Sequence, residues 1–504
     1  MKKFTVLVAL ALLAATGTSY AVTCAYDNVP GATLLVPYFK VANTAGTSLS
    51  AGIQPGGANT LVAITNVSQW GAIAHVTVWN KQSAAVLDFN VPMTGYDVAT
   101  FNMRDILNGY LNVNPTLQKP ATTDICQNLT KYLGDTQTRF IRFTNPEYGI
   151  VGGDFDMSIG YYDSPAFTGL FRQKVWLSLD EGADVFSLTT RPSNDSKNPV
   201  CGTANTGTPA GDFTGYLTID VVNYCTNYFP DESAFYTNDA IATVGWDLNG
   251  GSNVLMGDVF YVDTNTSANI SGDTAVALEF DSRLNWVTER TFYARYTVDS
   301  SSGAIADAAG PYARFSFIGD GREPLGVAYG FRFLDKAGAA SSTLTVWRSD
   351  VWDGGTGAGH NLVNLCNIAD NTIPVFIATR DEDENMNETQ ITPGPSGGDP
   401  VSSNPPYIWW ESQRIILTDN TDFNPAGYDF GWSAIQFPPQ IAVGQGGTRP
   451  YMSQFNQAYI GVEHTAPGQF VSVGHHATLL DNQFTCMPGQ AITEPANIPV
   501  AVTE

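Results

Sequence analysis

Thr60–Met103 reads TLVAITNVSQWGAIAHVTVWNKQSAAVLDFNVPMTGYDVATFNM, and its two-residue beat decides the fold class. Leu61, Ala63 and Thr65 alternate with Val62 and Ile64. After Trp70 and Gly71, Ala74, Val76 and Val78 alternate with His75, Thr77 and Trp79. Beyond Asn80-Lys81-Gln82-Ser83, Leu87, Phe89 and Val91 alternate with Asp88 and Asn90; past Met93-Thr94-Gly95, Ala99, Phe101 and Met103 resume the pattern. Alternation broken by short polar turns predicts an antiparallel meander with one face on a core. The stretch specifies a fold class and no chemistry.

The rest of the chain has the same character. It holds 504 residues, of which 48 are Gly, 12% are aromatic and only 14% are charged. That composition suits many strands joined by tight turns rather than helices. The length suits two or three domains, and 43% hydrophobic residues suffice for cores. The predicted fold class is all-β: two antiparallel β-sandwich domains, immunoglobulin-like or jelly-roll-like, joined by a polar linker. The domains run from 22 to 190 and from 215 to 487. Residues 191–214, rich in Pro, Ser, Asn, Gly and Thr, form the linker or a tethered loop. A loop at 381–407 is inserted in the second domain, and 488–504 is a tail. Phe171–Leu179 is predicted to close the first domain, and Arg104–Gly109 to form one helical turn. Thr343–Arg348 echoes His75–Asn80, and Ala275–Phe280 echoes Ala84–Phe89. These echoes come in opposite order along the chain, and convergence of strand patterns explains them as well as duplication does.

The formal charge is −24. Such a surface repels phosphate backbones and anionic lipid, which excludes nucleic acid as an expected partner. The N-terminus reads as a signal peptide: Lys2 and Lys3, then an apolar run from Phe4 to Ala15, then Ser19-Tyr20-Ala21 with cleavage after Ala21. A lipid-anchored Cys24 is the competing reading, but Thr23 before it is bulkier than such sites accept. No later stretch reads as a transmembrane helix. In an oxidising compartment the six cysteines suggest disulfides, paired by proximity as Cys24–Cys126, Cys201–Cys225 and Cys366–Cys486.

No catalytic constellation emerges. Gly394-Pro395-Ser396-Gly397-Gly398 and upstream His75 stand in the order of a serine protease, but Ser396 sits in a low-complexity loop that cannot hold it rigidly beside a base. His464, His475 and His476 fall on neighbouring strands, where adjacent residues diverge. Asp381, Asp383, Asn385 and Asn387 place oxygen donors at alternate positions, the spacing of a loop that wraps Ca²⁺, though the template is only half met. Trp409, Trp410 and Glu411 follow the Pro-rich loop, where an exposed indole stacks on a sugar ring and a carboxylate binds its hydroxyls. The leading expectation is an exported, non-enzymatic bacterial protein with a structural, adhesive or ligand-binding role at or outside the cell surface. Surface polysaccharide or other surface proteins are its expected partners. The alternative is a carbohydrate-active enzyme or carbohydrate-binding protein using the exposed Trp and the acidic loop.

Overall fold

The computed structural model describes residues 29–109 almost throughout. Beyond them it describes chiefly 211–222, 253–280, 322–349, 373–389, 407–437 and 457–479, with some positions inside these ranges excepted and single positions between them. The described chain is mostly β-strand in antiparallel sheets. Its first group comprises β1 (Thr33–Val41), β2 (Ala58–Asn66), β3 (Ala72–Asn80), β4 (Ala85–Met93) and β5 (Val98–Asn102). Helix α1 (Met103–Leu107) follows, and then β6 (Phe213–Val222), β7 (Leu255–Asp263), β8 (Asn269–Thr274) and β9 (Val276–Leu278). A five-stranded sheet in the order β4-β3-β6-β1-β9 faces a four-stranded sheet in the order β5-β2-β7-β8.

The four strands of Thr60–Met103 exist as the alternation predicts, but they are not one meander. β3 pairs with β4 in the five-stranded sheet, whereas β2 and β5 pair in the other. The chain therefore crosses between layers at Ser68–Trp70 and back at Thr94–Tyr96. This lets apolar faces meet across a core: Val62, Ile64, Ala99 and Phe101 on one side, Val76, Val78, Phe89 and Val91 on the other. Phe89 and Phe101 touch edge to face at 5.4 Å between centroids. β3 and β6 are buried on both faces, so their polar alternates are enclosed rather than solvated.

α1 is the predicted helical turn. Asn102 caps it by accepting the Arg104 N–H at 2.9 Å, and Gly109, at φ +82°, ends it. Two other expectations need correction. Arg172, Val175, Trp176 and Leu179, in the run expected to close an all-β domain, are helical positions, and their i, i+3, i+4, i+7 spacing is that of a helix face. All four are buried, and the Trp176 indole donates to the Leu107 carbonyl at 2.7 Å. Pairing also crosses 191–214: β6 joins β1 and β3, and β7 joins β2, so that stretch does not separate domains. β6 to β9 complete the first group: β6 and β9 flank β1, β6 also borders β3, β7 borders β2, and β8 pairs with β7.

β10 (Thr297–Val298) and β11 (Phe315–Ser316) form a short parallel pair. The second group comprises β12 (Ala328–Leu334), β13 (Ser341–Arg348), β14 (Ile373–Pro374), β15 (Phe376–Asp381), β16 (Met386–Thr389) and β17 (Tyr407–Ile408). It continues with β18 (Ser412–Ile416), β19 (Phe430–Gln436), β20 (Ala458–Ala466), β21 (Phe470–His476) and β22 (Thr478–Leu479). β14 and β17 pair separately. β16 lies inside the segment expected to be an inserted loop and is an edge strand of a five-stranded sheet in the order β16-β15-β19-β12-β22. The four-stranded sheet runs β18-β13-β20-β21. A second core holds Tyr329, Phe331, Leu344, Val346, Ile435 and Ile460.

The second group repeats the first strand for strand. β12, β13, β15, β16, β18, β19, β20, β21 and β22 take the places of β1 to β9, in chain order and in both sheet orders. Individual backbone bonds repeat as well. Leu255 N–H donates to the Gly31 carbonyl at 3.0 Å, and Ala458 N–H donates to that of Gly326 at 2.8 Å. Val221 donates to Ala32 at 2.9 Å, as Phe437 does to Val327 at 2.8 Å. A side-chain staple repeats too. Thr60 Oγ1 accepts the Lys40 N–H at 3.0 Å and donates to the Lys40 carbonyl at 3.2 Å. Ser342 Oγ does the same with Leu334, at 2.7 and 3.0 Å. Each staple ties the two facing sheets, and both hydroxyls are buried. Thr60→Val and Ser342→Ala are each expected to cost about 1–3 kcal/mol, because each strands two backbone groups. Denaturant unfolding checks this, and indistinguishable midpoints would remove the staple from the account. The repeats are residues 33–278 and 328–479.

Candidate functional site

The outward face of each four-stranded sheet is built by three rows of side chains. In the second repeat the first row is Ser412–Trp347–Tyr459, the next is Arg414–Thr345–Gly461, and the third is Ile416–Thr343–Glu463. This face packs onto the first repeat. Ser412 Oγ donates to the Pro37 carbonyl at 2.7 Å, and Tyr459 O–H donates to Asp273 Oδ2 at 3.2 Å. The Trp347 ring sits edge-on to Tyr216 at 5.9 Å and stacks on Phe292 at 5.3 Å; Tyr216 in turn stacks on Trp79 at 5.8 Å. Arg414 pairs with Glu463 at 2.6 Å, and its guanidinium lies over the Tyr38 and Tyr261 rings. Ser271 Oγ donates to Glu463 Oε2 at 3.0 Å. Between the repeats Tyr261, Ser271, Asp273, Gly461 and Glu463 line a small pocket of about 20 Å³, room for one water.

Burial, above all, raises the Tyr261 and Tyr459 hydroxyls above their ordinary value. Asp273 adds to the shift at both, while Arg414 opposes it at Tyr261. The folded chain therefore holds these protons more tightly than the unfolded chain. Their contribution is complete below the ordinary tyrosine value of 10.0 and is lost as pH rises beyond it. Melting temperature is expected to fall through that alkaline range, and to fall less steeply in Tyr261→Phe/Tyr459→Phe. An equally steep fall in both proteins would contradict the assignment.

The equivalent face of the first repeat is open. Its rows are Val98–Thr65–Met256, Thr100–Ala63–Asp258 and Asn102–Leu61–Phe260. Val98 is 57% exposed and Phe260 41%; beside them, on the two turns that cross between layers, Trp70 is 53% exposed and Tyr96 72%. The turns are stitched together. Buried Asn66 donates to the Trp70 carbonyl at 2.6 Å and to that of Thr94 at 2.9 Å. Tyr96 N–H donates to the Ser68 carbonyl at 2.9 Å. Gly95 lets the second turn lie against the Gln69 carbonyl, where a Cβ would collide. Tyr96 itself sits at φ +56°, a left-handed conformation costing roughly 1–2 kcal/mol for a residue with a Cβ. A bulky aromatic ring held outward at that cost is a feature of functional surfaces.

The sequence-predicted site residues fall elsewhere. Trp410 is half-buried, with Lys81 Nζ 4.3 Å from its ring centroid, and Glu411 is buried with its N–H donating to the Lys81 carbonyl at 3.0 Å. Both belong to the contact between repeats. Asp381 ends β15, Asp383 N–H donates to Asp381 Oδ1 at 3.0 Å in an exposed turn, and Asn387 pairs with Thr379 on β16. That is a hairpin with an Asx-type turn, on a different sheet from Trp410. Trp409, Asn385, Ser396 and the six cysteines lie outside the described residues. Among the described residues, no group of three or more His, Cys, Asp or Glu could hold a metal ion. Among them, too, no helix is long and apolar enough to cross a membrane.

His75 belongs to a polar row missed in the sequence, Asn90–His75–Asp220–Thr33, which crosses the first five-stranded sheet on its outward face. Tyr293 O–H donates to Asp220 Oδ2 at 2.7 Å, Thr33 donates to Asp220 Oδ1 at 2.5 Å, and Arg322 pairs with the same carboxylate at 3.9 Å. Every member is buried, so the row closes the sheet rather than meeting a substrate. No protein-family model, curated protein or solved structure matches this chain.

Proposed function

We propose that the chain is exported and works without catalysis, in a structural, adhesive or ligand-binding role at or outside the cell surface, as two successive β-sandwich domains. The supporting observation is the open aromatic face: Trp70, Tyr96, Val98 and Phe260 are solvent-exposed, whereas on the matching face of the second repeat Ser412, Trp347 and Tyr459 are buried and Ile416, at its far row, is exposed. Contiguous exposed apolar side chains mark interaction surfaces, and rigid aromatics supply contact area at low entropic cost. Among the described residues, Asp220 and His75 are buried on the first five-stranded sheet, and Glu463 is half-buried between the repeats. The test is a panel of polysaccharide, peptide and ester substrates offered to the pure mature protein, together with the mass of its N-terminus. No turnover and a start at Val22 are expected; clear turnover, or a retained leader in exported material, rejects the reading.

A further inference from the structure

The repeats meet in part through the equivalent strands β8 and β21 and in part through unlike surfaces. The outward face of the second four-stranded sheet sits across the first five-stranded sheet at the row formed by Trp79 and Tyr216, beside the β1 irregularity at Pro37. A contact between unlike faces uses one of each and leaves one of each open. The unused counterpart of the first kind is the Trp70, Tyr96, Val98 and Phe260 surface. The unused counterpart of the second is the row that crosses the second five-stranded sheet at the same height, Arg332–Trp432–Arg380. Trp432 stands where Tyr216 stands in the first repeat, and Arg380 where Trp79 stands. Yet Tyr216 is fully buried and Trp432 is 41% exposed, with the Arg380 guanidinium 5.4 Å from its ring centroid.

We propose that these two open faces bind each other between molecules, so that a second copy of this chain is the partner and copies add head to tail into an open filament. The inference rests on the non-catalytic reading above and names the partner of that aromatic surface. Three observations carry it. The same pair of faces already forms part of the buried contact inside the chain, at Ser412, Trp347, Pro37 and Tyr216. Each open face presents an aromatic side chain at or beside a position whose counterpart is less exposed: Trp432 for buried Tyr216, and Tyr96 for half-buried Trp410. The charges also match, because Arg332 and exposed Asp258 lie on opposite faces, and Asp97 borders the first while Arg380 borders Trp432. One internal contact is not repeated: Glu382 follows β15 where Lys81 follows β3, so the basic partner for an incoming aromatic is Arg380 or Arg332 rather than a lysine. Because the two faces lie on different repeats, the contact is heterologous, and its repetition carries the assembly beyond a dimer.

Sedimentation velocity of the full mature chain is expected to show species that lengthen with concentration. Trp432→Glu blocks one face and Tyr96→Glu/Val98→Glu blocks the other. All three side chains are exposed, and unchanged melting temperatures verify that the variants fold. Each variant alone is expected to be monomeric, and an equimolar mixture is expected to form dimers and nothing longer, because each dimer has two blocked ends. A wild-type chain that stays monomeric up to millimolar concentration overturns the proposal, as does a mixture that stays monomeric or variants that still lengthen. None of these outcomes bears on turnover, so the filament and the non-catalytic reading fail separately.

Discussion

Asp220→Ala is expected to destabilise the chain by about 3–5 kcal/mol, the cost of removing one partner from an enclosed ion pair. The carboxylate is fully buried and holds three groups at once: Thr33 Oγ1, Tyr293 O–H and the Arg322 guanidinium. Arg322 is itself fully buried, so losing Asp220 takes an opposite charge away from a cation in a low-dielectric setting. Asp220→Asn keeps the shape but neither the charge nor the second acceptor oxygen, so Thr33 and Tyr293 no longer both donate to it, and it is expected to fall between wild type and Ala. Chemical denaturation reads both. The physical point is that Tyr293 and Arg322, which lie between the repeats in sequence, cover the outward face of the first sheet by converging on Asp220. A wild-type midpoint for Asp220→Ala would mean that this cover is not held there.

The second large effect is expected at the junction. Trp347→Ala removes a fully buried indole that fills the space between Tyr216 and Phe292, and buried Trp→Ala changes cost about 3–5 kcal/mol. The loss is confined to one surface of each repeat, and the two cores lie apart from it. Calorimetry is therefore expected to show one transition in wild type and two in Trp347→Ala, as each repeat melts on its own core. A single transition, lowered but unsplit, would show that the repeats share a core rather than a contact.

Strand existence was legible and strand partners were not, for a simple reason. Period-two alternation states which side chains share a face but not which strand lies alongside. Thus β2 read clearly, but its neighbour β7 enters nearly 200 residues later, a pairing no local pattern could announce. The helical face of Arg172, Val175, Trp176 and Leu179 was present in the spacing, hidden within a run that also passes for a strand. The repeat was invisible because equivalent positions hold unlike residues: Thr65 and Trp347, Thr100 and Arg414, Phe260 and Glu463. Those differences separate an enclosed face from an open one, so the divergence follows the packing. The echo of His75–Asn80 in Thr343–Arg348 pointed to β3, but β13 takes the place of β2. As for the candidate site, Trp410 and Glu411 drew notice as an aromatic–acid pair, and the structure places both against Lys81. Tyr96 carried a signal that went unused: an aromatic inside a Thr-Gly-Tyr-Asp turn has no core to face.

Hydroxyl-radical footprinting of the dilute chain, read residue by residue by mass spectrometry, tests most directly the claim that equivalent faces are enclosed in one repeat and open in the other. Tyr96, Trp70 and Trp432 are expected to be oxidised rapidly, and Trp79, Tyr216 and Trp347 to be protected. Equal labelling of Tyr216 and Trp432, or rapid oxidation of Trp347 in the folded chain, would contradict the account.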